Sequence, residues 1–223
     1  MENLNILIVD DHPQIAESFK LAFEKIAKGG NRYDFTITEV TTIDSANNLI
    51  LQSKDFYFDV ILLDIKLPKS SDNKLLSGED LGLEIRKHAP KSKIVVATTY
   101  NDNHRINNIF KSLNPEGLLI KNDLTPKALV NAIEEVLEDI PAYTKTVKRL
   151  LRKLATNDIS IDYIDRQLLY QLSIGTKMIE LPDILNMSIG GIERRKRQLK
   201  DVFDVSGGED KVLIAIAKEK GFI

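Results

Sequence analysis

The sequence predicts a doubly wound α/β fold, one five-stranded parallel sheet covered by helices on both faces, followed by a small all-α helix-turn-helix domain. Three observations point there. Apolar runs rich in Ile, Leu and Val alternate with helical patterns through residues 1–140, and strands of that kind are buried on both faces of a parallel sheet. Beyond residue 160 the patterns are helical. The charge divides at nearly the same place. Residues 1–144 hold 16 Lys+Arg against 22 Asp+Glu, and residues 145–223 hold 15 against 11. An acidic front and a basic rear suggest modules with different partners.

Taken in order, the strands fall at 5–10 (NILIVD), 35–41 (FTITEVT), 59–64 (DVILLD), 93–99 (KIVVATT) and 117–121 (GLLIK). Between the first two, residues 13–27 place Ile15, Phe19, Ala22, Phe23 and Ile26 on one helical face, with Pro13 in the first turn. Residues 125–139 open with a Thr cap and Pro126, then repeat Leu129, Ile133 and Leu137. One connection, 68–80 (PKSSDNKLLSGED), is long, polar and aperiodic, as a surface insertion is. Residues 141–160 read as a short basic helix and linker, and helices follow at 162–174, 176–185, 188–203 and 208–220. The expected domains are therefore 1–140, a linker at 141–160, and 161–223.

The composition, 43% hydrophobic and 29% charged, is that of an ordinary globular protein. There is no apolar run of membrane-spanning length, and the start MENLNILIVDD lacks a basic region and cleavage site for export. Cysteine is absent, which excludes disulfides and thiolate chemistry and fits the cytoplasm.

In a doubly wound sheet ligands sit beyond the carboxyl ends of the strands. Strand one ends in Asp10 and Asp11, strand three in Asp64, strand four in Thr98 and Thr99, and strand five in Lys121. Each residue alone has a bland reading, such as a helix cap or a surface lysine. Together, in the spatial order 2-1-3-4-5, they crowd three carboxylates, a hydroxyl and an ammonium onto one rim. Close carboxylates need a cation, and a hard ion such as Mg²⁺ takes oxygen ligands and pairs with phosphate.

The motifs ILIVDDHP, DVILLDIKLP, VVATTY and GLLIK resemble the flavodoxin-like receiver domain of two-component response regulators over residues 3–140. The resemblance implies that Asp64 accepts a phosphoryl group from a sensor histidine kinase. It implies Mg²⁺ on Asp11, Asp64 and the Lys66 backbone carbonyl, with Asp10 acting through water. Lys121 would pair with phosphate oxygens and Thr98 would swing to bind them. Leu118 stands where such receivers often carry an aromatic. Aspartyl-phosphate phosphatases share Asp, Thr, Lys and Mg²⁺ but need an acid two residues after the nucleophile, where this chain has Lys66. A phosphate-binding GxxxxGK[ST] loop is also missing. An enzyme is not expected.

Residues 176–200 (TKMIELPDILNMSIGGIERRKRQLK) outline a helix-turn-helix, with Thr176 and Ser188 as caps and the turn near Asn186 and Met187. With Ile192, Leu199 and Phe203 facing the core, Arg194 and Arg197 point outward, Arg195 and Gln198 to one flank, Glu193 and Lys200 to the other. A charge run is often only a solvated face. Gly190 and Gly191 let the helix start approach a phosphate backbone, or merely relieve the turn. Arg suits guanine and phosphate, so Arg194, Arg195 and Arg197, with Ser188, are the candidate DNA contacts.

The region 160–223 resembles the LuxR/NarL-type helix-turn-helix, which implies a recognition helix at 189–203 and dimerisation through the last helix. Glu193 replaces an expected basic residue, Arg195 an expected His, and Pro182 falls where a small residue is usual. The expectation is a cytoplasmic response regulator, homodimeric on activation, whose phosphorylation controls double-stranded DNA binding and transcription. The alternative is a phosphorylation-controlled adaptor whose rear domain binds protein instead.

Overall fold

The computed structural model describes residues 2–30, 32–52, 58–155, 161–205 and 209–223. The strands are β1 (Glu2–Val9), β2 (Tyr33–Val40), β3 (Val60–Asp64), β4 (Lys93–Thr98), β5 (Gly117–Ile120) and β6 (Ala142–Tyr143). They form one sheet in the order β2-β1-β3-β4-β5-β6, and every pairing is parallel. The five expected strands and their order are present, and a sixth is added. Just after Pro141 the chain is extended for two residues, enough to pair Gly117 with Ala142 and Leu118 with Tyr143. The Thr144 N–H then donates to the Leu118 carbonyl, and its hydroxyl accepts from the Ile120 N–H at 3.2 Å.

Contacts divide the chain into two units, Met1–Tyr100 with Asn108–Val147, and Asn101–Asn107 with Lys148–Ile223. In the first, helices α1 (Pro13–Gly30), α2 (Ile43–Gln52), α3 (Gly78–His88), the C-terminal half of α4 (Asn103–Leu113) and α5 (Pro126–Leu137) alternate with the strands. Side chains alternate across the sheet. Ile6, Ile8, Leu62, Val95 and Leu119 are buried with Phe19, Phe23 and Ala22 of α1 and Leu129 and Ile133 of α5. Leu7, Val9, Ile61, Leu63 and Val96 are buried on the opposite face. The expected α1 stripe is in the core, except that Ala16 is fully buried and Ile15 only partly. Thr125 caps α5, its hydroxyl accepting from Ala128 N–H at 3.2 Å.

The long connection before α3 is internally bonded rather than loose. The Ser70 hydroxyl donates to Asp72 and accepts from the Leu75 N–H, Asn73 turns the chain with φ 56°, and Ser71 donates twice to Asp44 at the start of α2. A capping box between Ser77 and Asp80 starts α3.

Helix α6 (Lys145–Ala155) follows β6, and α7 (Tyr163–Ser173), α8 (Leu181–Leu185), α9 (Ile189–Val202) and α10 (Asp210–Glu219) complete the chain. Leu168, Leu169, Leu181, Ile192, Leu199, Phe203, Leu213, Ala217 and Phe222 form the second core. The helix expected at 176–185 is shorter than the sequence pattern suggests. Pro182 has no N–H to give the preceding turn, so α8 begins immediately before it, and residues 178–180 form a turn. Thr176 consequently caps nothing and donates to the Gln171 side chain. Residues 156–160 of the expected linker, and residue 208 of the expected last helix, lie outside the described residues.

Candidate functional site

In the first unit, the carboxyl ends of β1, β3, β4 and β5 assemble the expected rim. β1 and β3 lie side by side, so Asp10, one residue past β1, and Asp64, last in β3, converge. Both are buried, at 1% and 2% exposure. Lys121, which opens a 3-10 turn directly after β5, bridges them, its Nζ 2.6 Å from Asp10 Oδ2 and 2.6 Å from Asp64 Oδ2. The remaining oxygens of the two carboxylates accept backbone N–H groups two residues on, Asp10 Oδ1 from His12 at 3.0 Å and Asp64 Oδ1 from Lys66 at 2.9 Å. Two buried charges are tolerable only when paired and hydrogen-bonded, and Lys121 supplies the pairing.

The balance is still incomplete. Burial pushes the Asp10 carboxyl above its ordinary range and the Asp64 charge adds to that, while Lys121 and the His12 N–H act in the opposite direction. Asp11 is more exposed, but its Oδ1 is buried and takes no hydrogen bond, with His12 Nδ1 as its neighbour at 2.6 Å. One ligand atom each from Asp10, Asp11, His12 and Asp64 lies within 4.8 Å of the others. The Asp11 oxygen beside the His12 ring, together with two buried carboxylates, is a donor set suited to a hard divalent cation. Thr98 is fully buried beside this group, and its hydroxyl accepts from the Tyr100 N–H at 3.2 Å. Gly78 lets α3 close over β3, because a Cβ there would sit 1.9 Å from the Asp64 carbonyl oxygen.

In the second unit, Ser188 caps α9, its hydroxyl accepting from Gly191 N–H at 3.2 Å. Asn186, in the left-handed conformation at φ 49°, makes the tight turn between α8 and α9. Ile192 and Leu199 fix the rotation of α9 by entering the core, which leaves Glu193, Arg194, Arg197 and Gln198 exposed. Arg195 behaves differently from its neighbours. Its guanidinium is held by Asp162 at 2.7 Å and Asp165 at 2.8 Å, at the start of α7. Ser188, Arg194 and Arg197 are all exposed, Arg194 and Arg197 on the outward side of α9, whereas Arg195 is turned toward α7.

Several contributors were not singled out from the sequence. His12 stands against Asp11. Asp123, two residues after Lys121, accepts the Thr146 N–H at 2.9 Å in the first turn of α6. Asp162 caps α7 through Asp165 N–H. An Asp three residues before another at a helix start is a visible cap signal, but a partner 33 positions away is not.

Comparison with known proteins gives a consistent picture. The family described as response regulator receiver domain matches residues 6–134. The transcriptional regulatory protein RcsB of Salmonella typhi is 26% identical over 200 residues, covering 88% of this chain and 87% of that one. RcsB of Escherichia coli K12 is 25% identical over the same shares. Among solved structures, two RcsB dimers bound to two parallel DNAs match with TM-score 0.63 at 22% identity, over 96% of each chain. RcsB from Salmonella enterica serovar Typhimurium, bound to promoter rprA with phosphomimetic BeF3-, matches with TM-score 0.63 at 23% identity, over 96% of this chain and 98% of that one.

Proposed function

The chain belongs to the response regulator receiver family, and on that footing we propose that Asp64 is its phosphoacceptor and that phosphorylation controls DNA binding and transcription through α9. The carrying observation is the Asp10–Lys121–Asp64 bridge at the carboxyl ends of β1, β3 and β5. Asp11, Asp64 and the Lys66 backbone carbonyl would hold Mg²⁺, with Asp10 acting through water. The cation, when bound, neutralises the phosphoryl oxygens that the three carboxylates would otherwise repel.

The chain's own residues do the rest. A carboxylate oxygen of Asp64 attacks the phosphorus of a phosphohistidine in the sensor kinase, a P–O bond forms, and the P–N bond breaks. The Lys66 N–H keeps the Asp64 carboxylate oriented. Lys121, a point charge on a flexible stem, leaves Asp64 for a phosphate oxygen. Thr98 rotates its hydroxyl toward the same group.

DNA binding is supported by the exposed Arg194 and Arg197 beside the Ser188 cap, and by the likeness to RcsB, whose structures include dimers on DNA. Arg195 we assign to bracing α9 against α7. The protein acts as a homodimer once activated, and it works in the cytoplasm, where kinase and DNA are both reached. No described helix is long and apolar enough to cross a membrane.

Labelling by acetyl phosphate tests the acceptor. Labelling that requires Mg²⁺ and vanishes in Asp64→Ala is expected, and persistent labelling of that variant rejects the site. Equal DNA affinity and oligomeric state with and without beryllofluoride would reject the control.

A further inference from the structure

We propose that Glu193 reads a base, selecting cytosine at one position of the DNA site while Arg194 and Arg197 on the same face take guanine or phosphate. The inference rests on the DNA-binding reading above and goes beyond it by assigning sequence specificity to an acid.

The rotational setting of α9 is fixed from three sides. Ile192 and Leu199 are in the core. Arg195 is tied to Asp162 and Asp165 of α7. Lys196 and Lys200 are tied to Asp210 at the start of α10, at 3.0 and 2.8 Å. With about 100° per residue, what remains outward is one strip: Glu193, Arg197, Gly190, Arg194 and Gln198. The helix cannot roll without breaking one of these anchors, so every member of the strip meets whatever α9 docks against.

Glu193 has no intramolecular task in that strip. Arg197 stands at the i+4 spacing that usually pairs, yet neither Glu193 nor Arg197 enters an ion pair among the described residues. Glu193 is the fifth residue of α9, and the stabilisation an acid draws from the helix dipole is confined to the first turn. Gly190 tells the same story from the backbone. A Cβ there would meet nothing within 4 Å, so packing does not require glycine, and the helix accepts its unfavourable propensity. A bare backbone at the centre of the strip allows the start of α9 to come closest to its target.

A carboxylate brought that close to a duplex is repelled by phosphate and attracted by one class of group, the exocyclic amine on a base edge. In the major groove the amine matched by Glu or Asp is cytosine N4.

The test is selection of duplexes from a randomised pool by the full chain, followed by anisotropy across a salt series. Wild type is expected to enrich a cytosine at one position of each half-site. Glu193→Gln should move that position toward adenine and Glu193→Lys toward guanine, each losing roughly 5- to 100-fold on the original site. Variants that bind every sequence more tightly with the same enriched base would overturn the inference while leaving DNA binding intact. Failure of the wild type to bind any duplex even at low salt would overturn DNA binding itself and this inference with it.

Discussion

The two functional regions of this protein hold charge in opposite ways. In the receiver pocket Asp10, Asp64 and Lys121 are withdrawn from water and satisfied by one another and by backbone N–H groups. On α9 the charges of Glu193, Arg194 and Arg197 are solvated, while Arg195, Lys196 and Lys200 on its flanks are paired. A buried constellation stores electrostatic energy that a new ligand must reorganise, which suits a switch. An exposed strip has nothing to reorganise and binds by releasing counterions, which suits an output.

The sharpest way to break this comparison is to remove the pocket's cation. Lys121→Met leaves two buried carboxylates without a counter-charge, and a loss of about 3–5 kcal/mol is expected in chelator-treated protein near neutral pH. Added Mg²⁺ should restore much of it. Denaturant titrations with and without Mg²⁺ measure both, and an unchanged midpoint in chelator would show that the pocket stores little.

The exposed strip should respond in affinity and not in stability. Arg194→Ala and Arg197→Ala are each expected to lower the slope of log K against log salt by about 1, with melting within about 0.5 kcal/mol of wild type. Arg195→Ala should do the reverse, keeping the salt slope and costing about 0.5–1 kcal/mol of stability. A salt slope that falls equally in all three variants would erase the distinction drawn between the strip and its braces.

Between these extremes lies Asp123, two residues from the pocket lysine and bonded to the first turn of α6. Asp123→Ala should cost about 1 kcal/mol and raise the exchange rate of the Thr146 amide. Unchanged exchange would mean that the bond does not hold α6.

The smallest effect is a pH dependence. Burial pushes the Asp162 carboxyl up, but the Asp165 N–H and Arg195 outweigh it and hold Asp162 below the usual carboxylate range. Asp210 is likewise held low by Lys200 and Lys196 against its burial. A depressed native value means the unfolded state binds more protons, so this stability is complete above the ordinary value of 3.8 and disappears as pH falls through the native one. In acid titrations wild type should therefore be more stable than Asp162→Asn above about pH 4, and the two should converge below it. A difference that persisted unchanged to lower pH would detach the effect from titration.

Much of this was legible in the sequence, for particular reasons. The strands of the sheet could be read because strands buried on both faces are nearly pure Ile, Leu and Val, and Asp10, Asp64 and Lys121 stood out as charges ending such runs. β6 could not be read, since Ala142–Tyr143 is too short for a period and exists through the edge that β5 offers. The extent of α8 was overestimated because apolar spacing continues through Met178 and Leu181, while the stop comes from one missing N–H at Pro182. Helical geometry set Arg195 on a flank, apart from the outward Arg194 and Arg197, yet left all three as candidate DNA contacts. What separates them is two aspartates on another helix, a relation that no local pattern carries.

β6 has a further consequence for anyone dividing the molecule. A sheet edge is a row of unsatisfied donors and acceptors, able to recruit a strand from another chain. Ala142–Tyr143 covers that row on β5, so a cut at residue 140 would leave a receiver with a self-adhesive flank, and the association seen in such a fragment would report the cut rather than signalling. A cut after Val147 keeps the flank closed, because the strand and the Thr144 and Thr146 hydrogen bonds behind it remain with the sheet they seal.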